Sequence, residues 1–380
     1  MSVLELALQR NKYKHLSDDE WRWFLQQVEG RERTADKLPT FAAMDDWWYP
    51  VRLSCEQCSS ELTAKYKASL LSTFHTASAD RKNFQLSSLL DLTAGYGVDT
   101  YFLSELFEHT DYVEQNAELC RIAAHNFAHK PISIHNTTAE AFLASAGQYD
   151  LIFADPARRD SHGGKVFRLK DCTPNVVELL PELLKHGKQL LLKLSPMLDI
   201  SQAIKELSAV SWDIHVVAVK NEVKEVLLLS GGNGTITAID LDKKDHVFTF
   251  TKEEEREAHS EYSEYSDYSE KYLYEPNAAI LKAGAYKLVA QRFGLTKLDV
   301  NTHLYASDKL IEDFPGRTFK ALPFREGTGV GSQANVVCRN YPLTPEQLKK
   351  KLHLSDGGTA FVIGCRVNGK PTLFYAERLS

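Results

Sequence analysis

Cysteine is scarce in this sequence, with six residues among 380, too few for a disulfide framework. That excludes the small stapled secreted folds, which rely on cross-links because their cores are too small. Long apolar runs are missing as well, and none reaches the roughly 18 residues that a membrane-spanning helix needs. The opening stretch, MSVLELALQRNKYKHLSDDE, holds no apolar core followed by a small-residue cleavage site, so no export signal is expected. Together these absences predict a chain of the reducing cytoplasm with no membrane partner. No second C-x-x-C accompanies Cys55-Glu-Gln-Cys58. A lone pair of this kind is weak support for zinc or redox chemistry, and no metal is expected. No grouping of Ser, His and Asp points to hydrolysis. The dinucleotide fingerprint G-x-G-x-x-G is absent, which counts against a nicotinamide cofactor.

What is present reads as an ordinary globular composition, 43% apolar and 25% charged, in a chain long enough for two or three domains. The net charge of −6 hides an asymmetry. Residues 271–380 carry 16 Lys and Arg against 9 Asp and Glu, a net +7, which leaves the first 270 residues at −13. A basic module joined to an acidic body suggests a polyanionic partner for the basic part.

Residues 1–84 read as a helical region. Ser17 and Glu20 form a capping-box pattern ahead of an apolar-periodic run, and Leu62, Tyr66, Leu70 and Phe74 recur at i, i+4 spacing. From residue 85 to 242 short apolar strands alternate with helices: SLLDLTAG, DYVEQN, ISIHN, YDLIFADP and KQLLLKLSP are strands, and DIHVVAVKN, EVKEVLLLSGG and TITAIDL close the set. That alternation predicts a Rossmann-like α/β domain with a parallel sheet covered on both faces. The last strands lack intervening helices, so the sheet should end in an antiparallel pair. Residues 243–272 hold three copies of acid-Tyr-Ser with little aliphatic content and read as an acidic linker. The remainder predicts a small α+β module. It has one helix over NAAILKAGAYKLVAQRFG, a second opened by Thr344, Pro345 and Gln347, and a closing hairpin around Asn368-Gly369.

The alternating region places its polar residues at successive strand ends. Gly95 and Gly97 lie where the first strand turns into a helix, whose N-terminus favours an anionic group. Glu114 ends the second strand, 19 residues past Gly95, where an acid in doubly wound sheets reaches ribose hydroxyls. Asn136 and Thr137 end the third strand, within reach of an adenine edge. Asp155 ends the fourth and is followed by Pro156, Arg158 and Arg159. Arginines there suit a phosphate or another anion. Open α/β sheets bind ligands at these carboxyl ends.

The residues resemble the class I S-adenosylmethionine-dependent methyltransferases. DLTAGYGVDT is similar to their motif I, YVEQN to motif II and FADPARRD to motif IV. CSSELTAKYKA, KLSPMLD, NEVKEVL, YLYEPNAAILKAG and the pair THLYASDKL and FPGRTF resemble a narrower bacterial group of Bacteroidetes type. That group has C-terminal ferredoxin-like and THUMP-like domains, here over 273–323 and 324–380. The resemblance implies S-adenosyl-L-methionine as cofactor, held by Asp91, Thr93, Gly95, Gly97, Asp99, Glu114, Gln115, Asn136, Thr137 and Asp155. It implies that Asp155 and Pro156 face the transferred methyl, with Arg158 and Arg159 on the substrate side. THUMP-like domains in other enzymes present RNA to the catalytic domain, so rRNA or tRNA is the expected partner. Enzymes that methylate amino groups on bases often carry Asp/Asn-Pro-Pro-aromatic, whose ring stacks on the flipped base. Here the second proline and the aromatic are missing. Carbon methylation would need a cysteine nucleophile, and Cys172 is the nearest in sequence. A protein or small anionic metabolite as substrate, or an RNA-binding protein with a relic pocket, are the alternatives.

Overall fold

The computed structural model describes residues 3–75, 86–158, 168–242, 245–262, 271–324 and 331–379. The predicted strands form as β1 (Leu86–Asp91), β2 (Phe107–Glu114), β3 (Ile132–Asn136) and β4 (Tyr149–Ala154). After them β5 (Ala157–Arg158) and β6 (Cys172–Thr173) make a separate antiparallel pair. The chain continues through β7 (Gly187–Leu194), β8 (Trp212–Val219), β9 (Glu222–Ser230), β10 (Thr235–Leu241) and β11 (His246–Thr251). Strand order in the nine-stranded sheet is β11-β10-β8-β9-β7-β4-β1-β2-β3. β1 pairs in parallel with both β2 and β4, so growth of the sheet reverses between β1 and β4. A crevice opens at such a switch point, at the carboxyl ends of the strands. Leu151, Ile152 and Leu190 to Leu192 are wholly buried or nearly so, as expected of strands covered on both faces. The β10–β11 pair is antiparallel and ends the sheet.

The chain divides into two compact units, Met1–Trp212 with Leu227–Gly231, and Asp213–Val226 with Gly232–Ser380. In the first unit, helix Asp18–Thr34 opens on the predicted capping box. Ser17 Oγ accepts the Glu20 N–H at 3.3 Å, and the Glu20 carboxylate accepts the Ser17 N–H at 2.7 Å. Helix Glu61–His75 buries a different face from the one its i, i+4 spacing predicts. Leu62 is exposed, while Thr63, Ala64, Lys67, Leu70 and Leu71 are buried. The inward stripe carries a lysine because a buried carboxylate meets it there, so apolar periodicity alone misjudges the face. Phe41, Trp47, Tyr49, Tyr96, Phe102 and Phe127 form an aromatic core that seats the N-terminal helices on the turn after β1. Trp47 Nε1 donates to the Tyr96 hydroxyl at 2.8 Å within it.

The second unit holds β12 (Lys271–Pro276), β13 (Thr296–Asp299), β14 (Thr302–Ser307), β15 (Gly316–Pro323), β16 (Asn335–Arg339), β17 (Ala360–Val367) and β18 (Lys370–Arg378). They make a seven-stranded sheet in the order β13-β14-β12-β15-β18-β17-β16. The β17–β18 hairpin turns on Asn368 and Gly369 with φ of 47° and 79°, the left-handed pair that Asn-Gly supplies. Thr344, Pro345 and Gln347 take their predicted places at the start of helix Pro345–Leu352. The single helix expected over 277–294 is instead two, Ala278–Ala283 and Leu288–Phe293. Gly284 takes φ 86° and ends the first of them. Part of the stretch read as a linker is also structured. His246–Thr251 alternates so that Phe248 and Phe250 are buried, and Thr251 caps helix Lys252–Glu257. Most of the acid-Tyr-Ser repeat lies outside the described residues. Among those described, no helix is long and apolar enough to cross a membrane.

Candidate active site

The turn after β1 is built from below. Asp91 closes β1 and is 1% exposed. One carboxylate oxygen accepts the Thr93 N–H at 3.1 Å and the other the Thr100 hydroxyl at 2.6 Å. Burial pushes this carboxyl up to about 7, against the pull of those two bonds. Asp91 thus holds the turn from behind and does not line the cleft. Gly95 and Gly97 have φ of 58° and 82°, where side chains are disfavoured. A Cβ on Gly97 would lie 2.6 Å from Phe127 Cζ. Its missing side chain makes room for the core behind the turn. At Gly95 a Cβ would meet only the Thr93 carbonyl, at 3.9 Å. The Tyr112 hydroxyl donates to the Gly95 carbonyl.

In front of the turn lies a cleft of about 320 Å³, whose walls include Thr93, Gly95, Gly97, Asp99, Glu114, Gln115, Thr137 and Asp155. Eight of the residues expected around one ligand therefore share one cavity. Glu114 is held at both oxygens, by the Gly95 N–H at 3.0 Å and the Asn116 N–H at 2.7 Å. Asn136 is exposed, and its amide donates to the carbonyls of Glu114 and Gln115, each at 3.0 Å. It braces the exit of β2 beside the cleft. The Asp155 N–H donates to Thr93 Oγ1 at 2.6 Å, tying the ends of β4 and β1 together. Pro156 is buried behind Asp155, off the cleft wall. Arg158 sits in β5 opposite Cys172. Its side chain and all of Arg159 lie outside the described residues. Cys172 is wholly buried and off the cleft, unsuited to act as a nucleophile on a bound base.

Lys193, Ser59 and Lys67 have no role in this site on the sequence reading, and the structure joins them to Asp99 and Asp155. Lys193, at the end of β7, puts Nζ 2.5 Å from Asp155 Oδ2, 3.0 Å from Ser59 Oγ and 3.6 Å from Asp99 Oδ2. Asp99 also accepts the Ser59 hydroxyl at 2.6 Å and pairs with Lys67 Nζ at 3.1 Å. Burial opposes ionisation of Asp99, but the Lys67 and Lys193 ammoniums outweigh it and hold the carboxyl below its usual range. A signal was present in the sequence. LLLKLSP sets a lone lysine among leucines at a strand's carboxyl end, and a buried charge demands a partner. The N-terminal helical region reaches the cleft too, through Gln57, Cys58 and Ser59. Burial pushes the Cys55 thiol up to about 12 and raises Cys58 as well, so both favour the unreactive thiol form. Among the described residues no group of His, Cys, Asp and Glu is placed to hold a metal ion.

Residues 272–315 match the family of a ferredoxin-like domain, and residues 314–378 match a THUMP domain-like family. An uncharacterized S-adenosylmethionine-dependent methyltransferase of Mycobacterium tuberculosis H37Rv is 21% identical over 362 residues, covering 91% of this chain and 92% of that protein. A crystal structure of a protein assigned as a methyltransferase from Porphyromonas gingivalis W83 superposes with a TM-score of 0.82. It is 33% identical and covers 96% of this chain and 92% of that one. A site at the switch point of a Rossmann-like sheet, followed by these two C-terminal domains and matched over nearly the whole length, gives the assignment. The chain belongs to the class I S-adenosylmethionine-dependent methyltransferases, in the bacterial group with C-terminal ferredoxin-like and THUMP-like domains.

Proposed function

We propose that this methyltransferase modifies structured RNA, rRNA or tRNA, in the cytoplasm. The observation that carries the reading is the THUMP domain-like match over residues 314–378. The excess of Lys and Arg over the C-terminal third supports it, because neutralising phosphates supplies most non-specific affinity for nucleic acid. Lys350 and Lys351 stand exposed on helix Pro345–Leu352.

The residues around the cleft fit S-adenosyl-L-methionine, and its volume lies at the lower end of small-molecule sites. The left-handed turn at Gly95 and Gly97 would receive the methionine part. The Glu114 carboxylate, fixed by two backbone N–H groups, keeps lone pairs for the ribose hydroxyls. Gln115 and Thr137 would flank the adenine. Asn136 would act from behind them, its amide donating to the carbonyls of Glu114 and Gln115. Asp91 and Thr93 shape the turn, and Asp99 anchors the lysines. When bound, the cofactor supplies a methyl group already activated on a sulfonium, so positioning accounts for much of the rate. Asp155, backed by Pro156, would accept a hydrogen bond or a proton from the acceptor. Arg158 and Arg159 would hold a neighbouring phosphate.

The test compares nucleoside mass spectra of total RNA from cells with and without the protein, complemented by wild type or Asp155→Ala. One methylated nucleoside should vanish, return with wild type and stay absent with the variant. An unchanged set of nucleosides would remove RNA and turn the search to protein or anionic metabolites.

A further inference from the structure

We infer that Lys193 is a positioning residue for methyl transfer, and that its ammonium favours an acceptor that gives up a proton, a hydroxyl or an imide N–H, over a neutral amine. This rests on the cleft being the methyl-transfer site. β4 and β7 pair in parallel with Ala154 opposite Leu192, so Asp155 and Lys193 leave adjacent strand ends at the same level. Their side chains meet at 2.5 Å. Lys193 is the single Lys or Arg among the described residues of the cleft wall. Its ammonium is in turn held by Ser59 and Asp99 at 3.0 and 3.6 Å, and Asp99 is fixed by the buried Lys67. Such a chain of contacts orients the Asp155 carboxylate through residues that are themselves constrained.

The charge decides which acceptor suits the site. A neutral amine becomes cationic as it takes the methyl, and the Lys193–Asp155 pair offers that charge no net attraction. A hydroxyl or imide develops negative charge as its proton leaves, which an oriented ammonium stabilises. In the balanced step the acceptor–hydrogen bond breaks and the proton goes to Asp155. The freed electron pair forms the bond to the methyl carbon, and the carbon–sulfur pair stays on sulfur. Lys193 remains protonated throughout. Two further features agree. Ala157 and Arg158 stand where amino-methylating enzymes carry the second proline and the stacking aromatic, and the buried Cys172 is no nucleophile for carbon methylation.

The test uses the full-length enzyme, methyl-labelled S-adenosylmethionine, and total RNA from cells lacking the protein. Label on a ribose 2′-oxygen, or on the imide nitrogen of guanine or uracil, is the expected result. Label on an exocyclic amine, on guanine N7 or on a pyrimidine carbon overturns the inference but leaves the RNA reading intact. In a parallel reaction with protein from the same cells, label in protein but not RNA overturns the RNA reading, and the acceptor atom still judges Lys193: an amine or a carboxylate refutes it, a hydroxyl upholds it. Lys193→Met should lower turnover by about 100-fold or more, with calorimetric affinity for S-adenosylmethionine within about threefold of wild type. Lys193→Arg should recover part of that turnover. Wild-type turnover in Lys193→Met, or a parallel loss of cofactor affinity, would show that Lys193 acts otherwise.

Discussion

Asp99→Asn should destabilise the protein far more than its small change in shape suggests. The substitution preserves volume and removes one charge. Lys67, 0% exposed, then loses the carboxylate 3.1 Å from its ammonium. Removing one partner of a buried pair costs about 3–5 kcal/mol, because the remaining charge stays desolvated. The Lys193 contact adds less, since it is longer, at 3.6 Å, and Lys193 keeps Asp155. A loss of that size is a large share of the roughly 5–15 kcal/mol by which domains are stable. Adding Lys67→Met should recover most of it, since replacing a buried pair with apolar groups is often nearly neutral. Urea unfolding followed by tryptophan fluorescence reads this well, because all five tryptophans lie at or before residue 212, in the first compact unit. The pH dependence has a definite sign. Asp99 titrates lower in the folded state than in the unfolded one, so its contribution is present above the ordinary carboxylate range. It fades as pH falls through the lower folded value, and the single variant should lack that acid-side loss. If Asp99→Asn stayed within about 1 kcal/mol of wild type, well below the cost of a broken buried pair, or the two substitutions were simply additive, the pair would not be a buried ionic anchor.

Other expectations are simpler to state. Glu114→Ala should weaken S-adenosylmethionine binding by one to two decades in calorimetry, since a charged hydrogen-bonded contact contributes about 1.5–3 kcal/mol. Unchanged affinity in a folded variant would sink its ribose role. Gly97→Val should cost about 3 kcal/mol or more through backbone strain and overlap with Phe127, and its melting temperature should fall with or without cofactor. RNA affinity of the full chain should drop steeply with salt, each neutralised phosphate contributing roughly −0.7 to −0.9 to the slope of log K against log salt. Lys350→Glu with Lys351→Glu should flatten that slope, and an unchanged slope would place the RNA surface elsewhere.

The sequence by itself determined the strand–helix alternation, the acids and amides at successive strand ends, the caps at Ser17 and Thr344, and the Asn368-Gly369 hairpin. These features are local. A cap, a turn or an apolar strand is recognised within a few residues, and a parallel sheet brings its strand ends together whatever the details. Local rules also have limits: the alternation in His246–Thr251 is as legible as in any strand, yet the acidic composition beside it is that of a linker. Only the tertiary structure decided which face of Glu61–His75 turns inward, that Gly97 serves the core behind the turn, and that Asp91 and Asn136 brace the site from outside its wall. It alone joined Ser59, Lys67, Asp99, Asp155 and Lys193, which come from two N-terminal segments and three separate stretches around the sheet. A buried lysine is stable only beside its carboxylate. That partnership joins residues 32 positions apart at Lys67 and Asp99 and 38 apart at Asp155 and Lys193, where no local periodicity can register it.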